Sequence, residues 1–252
     1  MPEQQNKSEE SFLRGYDPSA YERPSTAVDT VIFTIRDEAL HVLILKRSEH
    51  PFQGDWSLVG GYVDIHQDKG LEDTAKRKLQ EKTGVKTPYL EQFETIGNAT
   101  RDPRGWSITT VYFALLSSEN IQLYPGQGAE EIKWSPVIDG AIQESLAFDH
   151  ADILHRCVER LKSKVLYTSL PTYLMPDVFS LGELQKVYEL ILGNAIDHKS
   201  FRRRMLGAGI LEETGQLRYG GRRPAMLYRL RKSQDPHFFV RNLEGIGKSG
   251  DF

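Results

Sequence analysis

Cysteine is nearly missing from this 252-residue chain: Cys157 stands alone, so no internal disulfide can form. A small fold stapled by bridges is thereby excluded, and such sparing use suits a reducing cytoplasm. Cys157 falls within a helical pattern and reads as a buried structural thiol rather than a nucleophile. Long apolar runs are missing too. None approaches the ~20 residues that a membrane span needs, and the polar opening MPEQQNKSEE has no secretory character. No internal repeat or low-complexity tract appears. Charge is scarce only in sum. The net charge is −3, yet residues 1–197 carry 20 Lys and Arg against 30 Asp and Glu, and residues 198–232 carry 10 against 2. An acidic body followed by a basic module points to a segment that faces nucleic acid. The length suits two modest domains.

Residues 1–24 read as a loosely docked arm that closes at Arg23-Pro24. Val28–Ile35 and Leu40–Leu45 follow as strands, nearly apolar throughout, as strands covered on both faces are. A loop over Pro51–Asp55 and a strand from Trp56 lead to Gly60-Gly61. A helix is expected over 72–83, strands over Tyr89–Ile96, Ile108–Leu116 and Glu130–Trp134, and a helical segment near Ile138–Leu146. Strands mixed with helices in this order give an α/β/α sandwich over residues 25–150. Asp149–Leu166 reads as a helix with Ile153, Cys157, Val158 and Leu161 along one stripe and Asp149 as its N-cap. Pro171 and Pro176 mark 167–178 as a hinge. Residues 233–252 form a tail in which Phe238-Phe239-Val240 are the docking candidates.

The chemistry concentrates in GGYVDIHQDKGLEDTAKRKLQEKTGV, residues 60–85. This stretch resembles the Nudix box, Gly-x5-Glu-x7-Arg-Glu-U-x-Glu-Glu-x-Gly-U, where U is apolar. Gly61, Arg77, Leu79, Glu81, Gly84 and Val85 stand where that pattern has them. The other acids are replaced. Gln67 or Lys69 takes the first, depending on the end from which a loop two residues longer is counted, and Lys78 and Lys82 take two more. In a working box, carboxylates on one helix face hold a divalent metal against a pyrophosphate, where it neutralises charge and activates water. Positions 78, 81 and 82 share such a face. Here a single acid lies between two ammonium groups, which repels Mg2+ and offers positive charge to a diphosphate directly. No metal, no cofactor and no catalytic residue are therefore expected. The plainer alternative is a surface helix with both lysines outward.

A second pattern occupies the basic segment. Ser180–Gly193 opens with the capping box Ser180-x-x-Glu183 and carries an apolar stripe of Leu181, Leu184, Val187, Leu190 and Ile191. Asp197 caps a second helix, expected over Asp197–Gly209, with Phe201, Met205 and Ala208 inward. Lys199, Ser200 and Arg203 lie on its outer face, with Arg202 and Arg204 on the flanks. Two short helices joined by a tight turn form a helix-turn-helix whose second helix enters the major groove. Leu217–Leu230 reads as a hairpin wing with Arg222 and Arg223 at its tip. Lys199 and Arg203 are the candidates for base edges, and Arg202, Arg204, Arg222 and Arg223 for phosphates. A solvated helical face with a charged hairpin is the competing reading.

RPSTAVDTVIFTI (23–35), WSLVGGYVD (56–64), LGELQKVYELILG (181–193), FRRRMLGAGILEETG (201–215) and GRRPAMLYRL (221–230) together resemble the NrtR family, Nudix-related regulators of NAD metabolism. The resemblance implies an α+β chain of two domains, a Nudix-like sandwich at 25–150 and a linker helix with winged helix-turn-helix at 151–232. It implies a bacterial, cytoplasmic repressor of NAD biosynthesis or salvage genes that works as a homodimer on a palindromic operator. Its effector would be ADP-ribose or a related NAD metabolite. Such a ligand needs cations for its diphosphate, from Arg47, Arg101, Arg104, Lys78 and Lys82, and close backbone at Gly60 and Gly61. Phe52, Trp56, Tyr62 and Trp106 are candidate adenine platforms, each also suited to core packing. The competing classes are a Mg2+-dependent ADP-ribose pyrophosphatase and a scaffold of two inert modules.

Overall fold

The computed structural model describes residues 9–84, 89–119, 121–126, 128–219, 224–231 and 235–239. Arg222 and Arg223, Val85, Val240 and most of the tail lie outside the described residues. The arm holds α1 (Glu9–Gly15), with no buried residue. The first domain is a seven-stranded mixed sheet. Its central path is β3 (Trp56–Ser57), β2 (Ala39–Arg47), β1 (Ser25–Arg36), β6 (Ser107–Leu115) and β5 (Tyr89–Asn98). β4 (Val59–Tyr62) pairs with β1 and β7 (Ala129–Pro136) with β2. β1 and β6 run parallel, with Val31 opposite Phe113; the other pairs are antiparallel.

Strand side chains alternate between faces, and both faces are apolar. Val31, Phe33, Val42, Ile44, Val111, Phe113 and Leu115 pack with α3 (His150–Val165) through Ile153, Leu154, Cys157, Val158 and Leu161. Ile32, Leu43, Leu45, Ala114 and Leu116 pack on the opposite side with Leu79 of α2 (Leu71–Thr83). This is the expected α/β/α sandwich. Cys157 is fully buried, and burial pushes its thiol well above the usual range, so it is inert.

Two expectations fail locally, and a third holds in position only. Residues 138–146 form no helix: Ile138 bridges Ala141 across Asp139 and Gly140, which both take positive φ, and that Asp-Gly pair was the available turn signal. Asp149 stands at the N-cap of α3 but makes no capping bond, because its carboxylate holds Arg101. The 167–178 segment is not an exposed hinge. Leu170–Leu174 is a buried 3-10 turn, and one apolar cluster runs from the sheet through Leu170, Tyr173 and Leu174 into the second domain.

That domain comprises α4 (Leu181–Leu192), α5 (His198–Gly207) and the three-stranded antiparallel sheet β8 (Phe179–Ser180), β10 (Ala225–Leu230), β9 (Leu211–Arg218). The Ser180–Glu183 capping box forms as expected, and Gly193 closes α4 in the left-handed conformation. Tyr188, rather than the half-buried Leu190, completes the buried stripe, and its ring meets Phe201 edge-on at 5.1 Å. The wing strand begins at Leu211, earlier than Leu217; exposed Glu212 and Glu213 and a register shift near Gly215 hide its alternation in the sequence. Phe239 docks: its N–H donates to the Tyr167 carbonyl at 2.8 Å. Among the described residues, no helix is long and apolar enough to cross a membrane.

Candidate functional site

A cleft of about 1050 Å³, its open mouth included, lies between β1, β2, β4 and α2. It is lined by Arg47, Lys78, Lys82, Arg101 and Arg104 against Asp29, Glu49 and Asp102, with Tyr62, Phe148 and His150 among the other walls. β4 comes close to β1 because Gly60 has no side chain: a Cβ there would lie 2.2 Å from Asp29 Oδ1. A Cβ at Gly61 would lie 2.9 Å from the Lys78 chain, which crosses there. Both glycines therefore shape the cleft by close packing.

Two of the cations are already neutralised. Arg101 is bidentate to Asp149, at 2.9 Å for both bonds, and its Nη2 lies 3.4 Å from Asp29. Burial opposes its charge, but these carboxylates hold its pKa above the ordinary value. Arg104 is bidentate to Asp102, at 3.0 and 2.7 Å. Arg47 differs, since its guanidinium donates to the carbonyls of Pro51 at 2.8 Å and Glu49 at 3.2 Å rather than to a carboxylate. Burial foremost, then repulsion from Arg104, lowers its pKa. Lys82 is buried, which rules out the plainer alternative of an outward lysine, and donates to the Pro125 carbonyl. Burial, then Lys78, lowers its pKa. Two at least partly buried cations, each facing a second positive charge, gain from an anion placed beside them.

Glu81, the acid retained on the helix face, accepts from Arg77 at 3.2 Å and from Lys78 at 3.1 Å. Burial works against its charge, yet Lys78 and Arg77 outweigh it and hold its carboxyl below the usual range. The acid that takes up Arg77 is Asp68, between the two positions reached by counting, Gln67 and Lys69. Arg77 donates to it at 2.8 and 2.5 Å, and Thr74 Oγ1 donates at 2.8 Å. The guanidinium holds Asp68 well below the usual carboxylate range. The longer loop thus shifts the acid rather than removing it.

The aromatic set changes as well. Trp106 is half exposed and packs over Gly97, outside the cleft, and Trp56 lies under the Lys133 ammonium at 4.3 Å. Tyr62 does line the cleft. Phe148, not anticipated, lies 4.9 Å from the Arg47 guanidinium, and Phe52 meets its edge at 4.8 Å. Phe52 and Phe148 both adopt positive φ, at 59° and 58°, a conformation that bulky residues avoid unless surrounding contacts enforce it.

His150 is also new. Its Nδ1 accepts from the Leu58 N–H at 3.0 Å, and its Nε2 faces Asp29 Oδ1 at 3.7 Å. Burial, the largest influence, lowers its pKa despite Asp29. An unfolded imidazole takes up a proton below about pH 6.5, which the buried ring refuses. This group therefore removes stability as pH falls through that range. His150→Asn keeps an acceptor for Leu58, and denaturant titrations from pH 7.5 to 5 should show a flatter stability profile than the parent's.

In the second domain, Phe201 and Met205 bury the inner side of α5, and Lys199, Ser200, Arg202 and Arg203 are exposed. Asp197 caps the helix through the Ser200 N–H at 2.8 Å. Lys199, Arg202 and Arg203 form no ion pair among the described residues.

A cation-rich cleft under a Nudix-like helix, joined through one core to an exposed basic helix and its hairpin, defines a Nudix domain fused to a winged-helix DNA-binding domain. The family model for the NUDIX domain matches residues 25–157, and that for the NrtR DNA-binding winged helix domain matches residues 171–230. The chain belongs to the NrtR family. It is 46% identical over 237 residues, 94% of each chain, to the ADPR responsive transcriptional repressor NtrR of Acinetobacter baylyi. The crystal structure of Shewanella oneidensis NrtR complexed with a 27mer DNA is similar at 45% identity and a TM-score of 0.80, covering 87% of this chain and 99% of that one. The NUDIX domain of the same protein, complexed with ADP ribose, is similar at 45% identity and a TM-score of 0.57 over 61% of this chain and 99% of its own.

Proposed function

We propose that this protein is a transcriptional repressor of genes for NAD synthesis or salvage that binds ADP-ribose in the Nudix cleft and changes its hold on DNA in response. The observation that carries the reading is the convergence of Arg47, Lys78, Lys82 and Arg104 on one cleft, where burial and a neighbouring cation oppose the charge of Arg47 and of Lys82, on the same core as the basic helix α5. A doubly anionic diphosphate relieves that repulsion, while Tyr62 and Phe148 offer faces for the base. The responsiveness of the A. baylyi relative, and the DNA and ADP ribose bound to S. oneidensis NrtR and its NUDIX domain, support it. A homodimer places two winged helices on the half-sites of a palindromic operator.

The reading includes no hydrolysis and no resident Mg2+. Glu81 is taken up by two cations, and Lys78 and Lys82 occupy the face from which carboxylates would hold a metal. Fluorescence anisotropy with DNA from upstream of the protein's own gene, at one stated salt concentration, tests the regulatory half. Specific binding that ADP-ribose weakens is expected, and binding that saturating ligand leaves unchanged overturns it. Formation of AMP and ribose 5-phosphate from ADP-ribose and water, followed chromatographically with Mg2+ present, should stay at background. Turnover abolished by Glu81→Gln would restore the pyrophosphatase class.

A further inference from the structure

Arg204 does not behave like its neighbours on α5. Its Nη2 donates at 2.8 Å to the carbonyl of Leu166, the residue that ends α3, and its guanidinium lies 4.3 Å over the Phe239 ring. Carbonyls of a last helical turn lack partners within the helix and carry the negative end of its dipole, so a guanidinium is well placed there. Phe239 is itself fixed. Its N–H donates to Tyr167, Phe238 forms a β-bridge with Thr168, and His237 exchanges bonds of 2.9 Å with Ser169 in both directions. Residues 237–239 thus lie as a strap along 167–169, immediately after α3. The opposite end of α3 belongs to the cleft: His150 lines it and Asp149 holds Arg101. Sixteen residues of helix separate the two ends by roughly 24 Å.

We infer that Arg204 is a positioning residue rather than a phosphate contact. With Phe239 it latches the recognition helix to the C-terminal end of α3, so that a change at the cleft end of α3 resets the helix on DNA. An anion in the cleft competes with Asp149 for Arg101, and a packed helix released at one end shifts as a body. The latch carries that shift to α5. The inference rests on the reading of the cleft as an ADP-ribose site and adds how occupancy is conveyed.

The test uses the full chain, a duplex that the wild-type protein selects from a random-sequence pool, and the variants Arg204→Lys and Phe239→Ala. Both remain far from the cleft, and calorimetric ADP-ribose binding without DNA serves as the control for folding. A lysine still holds a phosphate but cannot donate to Leu166 and stack on Phe239 in one plane. The two variants are therefore expected to share a phenotype. ADP-ribose affinity and the salt slope of DNA binding stay at the wild-type values, and the ratio of DNA affinities without and with ADP-ribose shrinks about threefold or more. A phosphate role predicts otherwise: Arg204→Lys would resemble wild type, and Arg204→Ala would lower the salt slope by about 0.9. That result overturns the inference, as does an unchanged ligand ratio in both variants. A wild-type protein whose DNA binding ignores ADP-ribose while calorimetry shows it bound removes the coupling, whereas absence of calorimetric binding in the wild type rejects the reading of the cleft itself.

Discussion

Exchanging Arg101 for methionine is expected to lower stability by about 3–5 kcal/mol, the range for breaking one side of a buried ion pair. Arg101 is 6% exposed at its side chain and serves two carboxylates, of which Asp29 is nearly as buried. Methionine fills much of the volume and leaves Asp29 beside a neutral imidazole. A shift of roughly 10 °C in melting temperature is expected for a chain of this size. The pH dependence gives the signature. Arg101 is among the groups that keep His150 neutral, and Asp29 favours its protonated form. With the guanidinium gone, the folded imidazole accepts a proton at a higher pH than before and compensates Asp29. The deficit relative to wild type should therefore shrink between pH 8 and pH 5.5 in paired thermal melts. A constant deficit would mean that Asp29 and His150 do not share a proton-linked site.

Arg203→Ala should weaken binding to the selected duplex by about 1–3 kcal/mol, or roughly 5- to 150-fold at fixed salt, and relax base preference at one position of each half-site. Arg203 and Lys199 lie one turn apart, away from the buried Phe201 and Met205. Arg202→Ala should instead weaken selected and random duplexes alike and lower the salt slope by about 0.9. Parallel titrations across salt concentrations separate the two. Unchanged discrimination in Arg203→Ala, with a lowered slope, would exchange the roles of these arginines.

Much of the framework was legible because it is written in local patterns. The apolar runs of β1 and β2, the Ser180–Glu183 cap and the inward Phe201 and Met205 each follow from neighbours within a few residues. The site was less legible because its partners come from afar. Arg101 meets Asp29 and Asp149, which are 72 and 48 residues away along the chain. Asp29 did leave a trace, as a lone acid in the apolar run VDTVIF. Asp68 was missed because counting assumed one loop length, whereas Arg77 is satisfied by any carboxylate the loop delivers. Aromatic character alone does not place a platform: of the candidate tryptophans, Trp56 packs under Lys133 and Trp106 over Gly97, while the smaller Phe148 stands at the cleft wall beside Arg47. Lys82 points inward because α2 turns that edge toward Pro125, a contact no helical pattern contains. Arg204, assigned to phosphate, is drawn back to Leu166 by the end of a helix in the other half of the chain.

The buried turn at Leu170–Leu174 has a genetic consequence. A connection that belongs to the core makes the two halves share one fate: lesions that loosen the ligand-sensing half also deplete the DNA-binding half. A sensor half that unfolds then does not leave behind a stranded silencer that ignores its signal. In the proposed role of a repressor, destabilising damage would release the targets, so it is expected to be recovered mostly as a constitutive phenotype and seldom as a dominant shut-off.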